Sequence, residues 1–185
     1  MWYPLPGAWL LPALLGALAL AAIGGAAMML RPIRRPPEAP WGIVDFELAG
    51  TWDRAEPMLQ SWQASGLLGS LRFNLWADFV FLAGYATALS AGCALVATRL
   101  SGGWGALGLA LTWGALAAGI LDAIENVALL RTIGHFERGT PGQASGTLRL
   151  AQWCAAAKFA LVIAGLLYYI LGAAVGLAAR SGHTS

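Results

Sequence analysis

Residues 104–130 read WGALGLALTWGALAAGILDAIENVALL. The run is apolar except for a short polar group near its end. A helix of this length rises about 40 Å, which exceeds the roughly 30 Å hydrocarbon core of a bilayer. Three comparable runs occur at 8–30, 74–98 and 150–179. The pattern predicts an all-α protein, a four-transmembrane-helix bundle that forms a single domain over residues 1–185.

The composition of the whole chain leads to the same class of protein. Of its 185 residues, 58% are hydrophobic and 11% are charged, whereas soluble domains carry roughly a quarter charged residues. This composition excludes a water-soluble globule, a disordered chain and a basic nucleic-acid-binding protein. We therefore expect membrane lipids, and no nucleic acid, among the partners of the chain.

The first apolar run, 8–30, contains no charged side chain. A cleaved secretory signal would begin with a basic segment, and residues 1–7 contain neither Lys nor Arg. We therefore expect the run to be retained as the first transmembrane helix.

Arginine residues are unevenly distributed between the two sides of the predicted bundle. The loops after the first and third runs contain eight of them: Arg31, Arg34, Arg35, Arg54, Arg72, Arg131, Arg138 and Arg149. The opposite side contains Arg99 and Arg180. Because basic loops remain in the cytoplasm, the pattern predicts a cytoplasmic loop at 31–73 and both termini outside. The abundance of Arg, Ala and Gly favours a bacterial source, and hence the bacterial cytoplasmic (inner) membrane.

The loop 31–73 contains two different kinds of segment. Prolines are frequent in 32–40, which forbids a helix and favours a stiff, extended connector. Residues 53–65 instead show the spacing of a short amphipathic helix. Its apolar face comprises Met58, Leu59 and Trp62.

This loop is too short to build a hydrophobic core of its own. It must therefore lie on the bilayer or plug the bundle. Trp41, Trp52 and Trp62 favour anchoring at the membrane interface, where tryptophan is enriched. The fold prediction thus includes one interfacial amphipathic loop helix.

Charged side chains also occur inside the apolar runs. When helical rise is counted from the cytoplasmic ends, four of them lie at similar depths. A charge facing lipid costs about 2.5 to 3.5 kcal/mol on insertion scales, so these side chains should point into the bundle. We predict an intramembrane polar cluster of Asp78, Asp122, Glu125, Asn126 and Lys158, with Asn74, Tyr85 and Arg131 as further contributors.

The third run places most of this cluster on one helix face. Asp122, Glu125 and Asn126 are spaced i, i+3, i+4, so their side chains are neighbours. The same face continues with small residues at Ala115, Ala118 and Gly119. The pattern predicts a polar patch beside a surface that can pack closely against another helix.

Three acids against one lysine leave an excess of negative charge in a medium of low dielectric constant. Four arrangements would relieve it: a protonated carboxyl, Arg131 or Arg72 reaching in, a metal ion, or the backbone of 45–48 closing over the cluster. Protein metal sites usually need His or additional oxygen ligands, and His135 is the one nearby candidate. We therefore expect no metal and no cofactor. The cluster remains open to two interpretations, a clamp that fixes helix register or a site for a proton, ion or small ligand.

Several short segments carry a resemblance. They are DFELAG at 45–50, WAD at 76–78 with Tyr85, and LDAIEN at 121–126. With these segments the chain resembles small uncharacterised bacterial four-helix integral membrane proteins, and Asp-x-x-Glu-Asn in the third helix is the most specific element. The resemblance implies a four-helix fold and a polar cluster, and it implies no activity.

No complete catalytic motif occurs in the sequence. Dinucleotide-binding, nucleophile-elbow and metalloprotease patterns are all missing, so we identify no catalytic residue and do not favour an enzyme. The leading interpretation is a non-enzymatic accessory or scaffold component of a larger membrane assembly, with other membrane subunits or a second copy of the chain as partner. The alternatives are a small proton- or ion-coupled transporter that uses the cluster, and a membrane enzyme that acts on lipid headgroups.

Overall fold

The structure is a computed structural model that describes residues 41–181. Its helices, in chain order, are α1 (Ile43–Glu47), α2 (Trp52–Ala64), α3 (Leu68–Ala97), α4 (Gly103–Glu137) and α5 (Ala144–Ser181). A 3-10 turn at Pro141–Gln143 precedes α5. The described part of the chain is all-helical and contains no strand. The predicted span at 8–30 and the proline-rich segment 32–40 lie outside the described residues.

Helices α3, α4 and α5 are long and apolar enough to cross a membrane. Large apolar side chains on their outward surfaces are mostly exposed, among them Trp76, Val80, Trp113, Ile120 and Ile170. Such surfaces are unfavourable in water and favourable against lipid. These three helices are therefore compatible with a multi-pass membrane protein.

The predicted bounds of these helices require correction at one end of the bundle. Helix α3 begins at Leu68 and not at residue 74, α4 continues to Glu137 and not 130, and α5 begins at Ala144 and not 150. Hydropathy identifies only the part of a helix that is apolar enough for hydrocarbon. Each helix continues beyond that part because its polar residues still form the backbone hydrogen bonds of a helix.

Helices α1 and α2 close the end of the bundle at which α4 is joined to α5. Their buried residues share one apolar core with the long helices, and this core includes Phe46, Leu59, Trp62, Leu75, Leu129, Ile133 and Leu148. The rings of Phe46 and Trp62 meet edge to face, with 5.5 Å between their centroids. The segment therefore plugs the bundle, which was one of the two alternatives for the loop.

The expectation that Trp62 anchors the loop at the membrane interface is wrong, because only 6% of this side chain is exposed. The apolar face of α2 is satisfied by contact with the bundle and does not need the bilayer. Trp41 and Trp52 pack at the edge of the same core and are partly buried. The amphipathic helix itself occurs where the sequence predicts it, at Trp52–Ala64.

The connection between α1 and α2 depends on Gly50. Its backbone φ of +66° is a left-handed conformation that residues other than glycine rarely adopt. A Cβ atom at this position would also collide with the side-chain amide of Gln152 on α5. That amide donates a hydrogen bond from Nε2 to the carbonyl oxygen of Leu48, at 3.1 Å. Gly50 thus allows the end of α1 to approach α5.

Small residues allow α3 and α4 to pack closely. Ala115, Ala118 and Gly119 of α4 are buried. A Cβ atom placed on Gly119 would lie 2.8 Å from the Cβ atom of Ala86 on α3, which is too close for two carbon atoms. The close approach of these helices brings their polar side chains together one turn further along.

Candidate functional site

Buried and partly buried polar side chains from four helices meet between the long helices, near the end closed by α1. We call this group the Lys158 cluster. It comprises Glu47 of α1, Asp78 and Tyr85 of α3, Asp122, Glu125 and Asn126 of α4, and Lys158 of α5. The side chain of Glu125 has no exposed surface and that of Lys158 is 8% exposed. The cluster is therefore nearly closed to solvent.

The ammonium group of Lys158 lies between three carboxyl groups. Its Nζ atom donates a hydrogen bond to Oδ1 of Asp122 at 2.6 Å. The same atom lies 2.9 Å from Oε2 of Glu125 and 3.8 Å from Oε2 of Glu47. Lys158 thus links α5 to α4 and to α1 through one charged atom.

Helix α3 joins the cluster through two further hydrogen bonds. Tyr85 donates its hydroxyl hydrogen to Oδ2 of Asp122 at 2.9 Å. Asn126 of α4 donates from Nδ2 to Oδ2 of Asp78 at 2.6 Å. Both oxygens of Asp122 are therefore occupied, one by Lys158 and one by Tyr85. These contacts fix the rotation of α3 and α4 relative to each other.

Glu47 is the member of the cluster that the sequence does not reveal. Closure of the backbone of 45–48 over the site was one of the four arrangements that would relieve the negative charge, whereas the structure brings in a side chain of this segment. Depth counting could not find Glu47 because this residue lies before α3, outside every predicted span. Its carboxyl group adds to the excess of negative charge and does not relieve it.

The burial of Glu47 has a direct effect on its ionisation. Removal from water raises the pKa of the Glu47 carboxyl above its ordinary value of 4.5. The positive charge of Lys158 opposes this rise, and the negative charges of Asp122 and Asp78 add to it. Glu47 therefore keeps its proton at pH values at which an exposed glutamate has lost it.

Three carboxyl oxygens in the cluster are buried and lack a hydrogen-bond partner within the described residues. They are Oε1 and Oε2 of Glu125 and Oε2 of Glu47. The contact of Lys158 with Glu125 is an ion pair whose geometry is not that of a hydrogen bond. Buried polar atoms in proteins are nearly always partnered, so these oxygens distinguish Glu47 and Glu125 from the rest of the cluster.

Two of the further contributors predicted from the sequence are not part of the cluster. Arg131 is exposed on α4, and Asn74 is half-buried one turn before Asp78, outside the contacts described above. Arg72 does not reach in either, because it pairs with Glu137 near the surface. The excess of negative charge is thus not relieved by an arginine in the part of the chain that the structure describes.

His135, the candidate for a metal ligand, instead lies within hydrogen-bonding distance of the hydroxyl of Thr140, with 3.1 Å between Nδ1 and Oγ1. Among residues 41–181, no group of three or more His, Cys, Asp or Glu side chains is arranged to hold a metal ion. The position between the carboxyl groups belongs to the ammonium group of Lys158.

Comparison with protein-family models, curated proteins and solved structures finds no match. The resemblance to bacterial four-helix membrane proteins therefore remains a prediction. The fold and the site define a class of protein. It is a helical chain that is compatible with several membrane crossings and encloses an acid-rich cluster around one lysine.

Proposed function

We propose that the chain is a four-helix integral membrane protein of the bacterial cytoplasmic membrane, and that it acts as a non-enzymatic accessory or scaffold component of a larger assembly. One observation supports this function, the contrast between interior and surface. Polar side chains of the long helices pair with one another inside the bundle, whereas large apolar side chains cover the outside.

The paired interior argues for a structural part in an assembly and against catalysis. A catalytic acid or base must reach a substrate. Asp122 is 3% exposed and accepts hydrogen bonds from both Lys158 and Tyr85. The surface available for interaction is then the apolar exterior, which contacts lipids and other membrane-embedded subunits or a second copy of the chain.

Native mass spectrometry of the full chain, extracted from its own membranes in mild detergent, tests the accessory function. We expect a complex of fixed stoichiometry that is larger than one chain. Asp78→Asn should leave the mass of the complex unchanged, because the amide oxygen still accepts a hydrogen bond from Asn126. A chain that is monomeric in every extract would contradict the proposal.

We further propose that the end closed by α1 and α2 faces the cytoplasm. In a background without Cys93 and Cys154, a Ser101→Cys variant should react with a membrane-impermeant thiol reagent in intact cells. A Gln143→Cys variant should react only after the cells are opened. Both positions are exposed, and they lie in the turns at opposite ends of α4. The reverse labelling pattern would invert the topology, and labelling of both sites in intact cells would remove α4 from the membrane.

A small proton- or ion-coupled transporter is the second candidate function. The observation that favours it is the number of acids, since Glu47, Asp78, Asp122 and Glu125 surround one lysine in a buried site. Asp122→Asn would then abolish proton uptake by reconstituted vesicles while the thermal transition of the variant remains cooperative. Unchanged uptake in that variant would exclude a transport mechanism that uses the Lys158 cluster.

A further inference from the structure

Lys158 brings the carboxyl groups of Glu47 and Glu125 together, because its Nζ atom lies 3.8 Å from Oε2 of Glu47 and 2.9 Å from Oε2 of Glu125. A carboxylate oxygen can only accept hydrogen bonds. Two ionised carboxylates in contact would therefore repel each other and leave their oxygens without a donor. Oε2 of Glu47 and both oxygens of Glu125 are buried and accept no hydrogen bond among the described residues, although the Lys158 ammonium is close to both groups.

We propose that Glu47 and Glu125 together form a binding site for one proton, and that the bound proton holds α1 against the bundle. The protonated carboxyl of one residue donates its O–H to an oxygen of the other. On release, the proton passes to water, both groups become carboxylates, and their repulsion disfavours contact. This site goes beyond the accessory function and does not depend on it.

The environment of Glu47 explains why a proton is needed there in addition to Lys158. The charged groups that face it are Lys158 of α5, Asp122 and Glu125 of α4, and Asp78 of α3. Helix α2 contributes an apolar neighbour to this region, since Trp62 packs against Phe46. One ammonium group thus faces four acids, and the Nζ atom lies 3.8 Å from Glu47, further than from Asp122 or Glu125.

The pH dependence of α1 docking follows from the difference between the bound and free states of this segment. The pKa of Glu47 is raised when α1 is docked and returns to its ordinary value when α1 is released into water. The docked state therefore binds the proton more tightly. Docking is strongest below the ordinary pKa and weakens as the pH rises through the raised pKa.

Thiol labelling of the full chain in detergent tests this proposal. Ala49, next to α1, is 3% exposed, whereas Val44 within α1 is 48% exposed. In a background without Cys93 and Cys154, the labelling rate of an Ala49→Cys variant is divided by that of a Val44→Cys variant. The exposed site corrects for the ionisation of the thiol itself. We expect this ratio to increase with pH by up to about tenfold per pH unit, as for release of one proton.

Glu47→Gln is the decisive variant, because the side-chain amide donates a hydrogen bond to Glu125 as the protonated acid does and cannot ionise. Its labelling ratio should remain low at every pH. The matched control is Asp53→Asn, which removes an exposed acid from α2 and should follow the parent curve. A flat parent curve, or a Glu47→Gln curve that increases like the parent, would overturn the proposal.

Infrared spectroscopy supplies a measurement that needs no cysteine variant. The unmodified protein at neutral pH should show the carbonyl stretch of a protonated carboxylic acid. Glu47→Gln should remove this band, and Asp53→Asn should retain it. Absence of the band from the unmodified protein would overturn the proposal. The infrared and labelling results do not depend on the mass of the complex in detergent extracts. The proton-site proposal and the accessory-function proposal can therefore be contradicted independently of each other.

Discussion

Replacement of Lys158 with Met is expected to lower the free energy of unfolding by about 3 to 5 kcal/mol, the usual cost of removing one partner from a buried ion pair. The variant retains most of the side-chain volume, so the loss is electrostatic. Lys158 contacts Asp122, Glu125 and Glu47, and its removal leaves their negative charges without a counter-ion. Denaturation of the full chain in mixed micelles measures the change.

A second substitution in the same chain separates this explanation from a packing defect. Asp122→Asn added to Lys158→Met should recover a large part of the loss, because it removes one stranded charge. The amide oxygen can still accept the hydrogen bond from Tyr85. Arg149→Met, which removes an exposed cation from the same helix, should have little effect. Strict additivity of the two cluster substitutions would show that Lys158 does not stabilise Asp122.

Gly119→Ala is expected to destabilise the bundle by about 1 to 3 kcal/mol, the range for an additional methyl group in a well-packed interior. The added Cβ atom would lie 2.8 Å from the Cβ atom of Ala86. A β-carbon cannot rotate away, so α3 and α4 must separate. Separation would also lengthen the hydrogen bond between Tyr85 and Asp122, one turn away on the same two helices. Unfolding in mixed micelles measures the loss.

The steric explanation predicts a specific rescue. Ala86→Gly combined with Gly119→Ala transfers one methyl group across the interface and should restore most of the lost free energy. Gly146→Ala is the matched control, because nothing lies within 4 Å of a Cβ atom at that helical position. It should be neutral or slightly stabilising, since alanine favours a helix over glycine. Equal losses for Gly119→Ala alone and for the exchange would show that the contact with Ala86 is not the cause.

The sequence predicts the long helices well because hydrocarbon selects for uninterrupted apolar runs. The ends of those runs do not show where the helices themselves begin and end. Leu68 and Glu137 lie beyond the apolar residues, and hydropathy cannot detect a helix once its side chains are polar. The short helix Trp52–Ala64 is predicted from its periodicity, but its environment is not, because an apolar face suits a bilayer and a bundle equally well.

The candidate site is predictable only to the extent that its residues lie inside the spans. Counting helical rise places Asp122 and Lys158 at one depth, and the structure brings them into contact at 2.6 Å. Glu47 could not be found in this way, since its position depends on the turn at Gly50 and on the packing of Phe46. Those are tertiary contacts, and no local pattern in the segment 45–50 distinguishes a buried glutamate from an exposed one.

The cation of the cluster comes from α5, which is synthesised after α4, and this order has a consequence for biogenesis. Until α5 follows it, α4 would have to carry Asp122 and Glu125 into hydrocarbon with no positive charge beside them, an unfavourable state for an isolated helix. A short turn, which includes Pro141–Gln143, joins the two helices. In a membrane, the favourable route is insertion of α4 and α5 together as a hairpin, with lysine and acids already paired. A nascent chain interrupted before α5 would lack that pairing, so synthesis of α5 provides the positive charge that α4 needs in hydrocarbon.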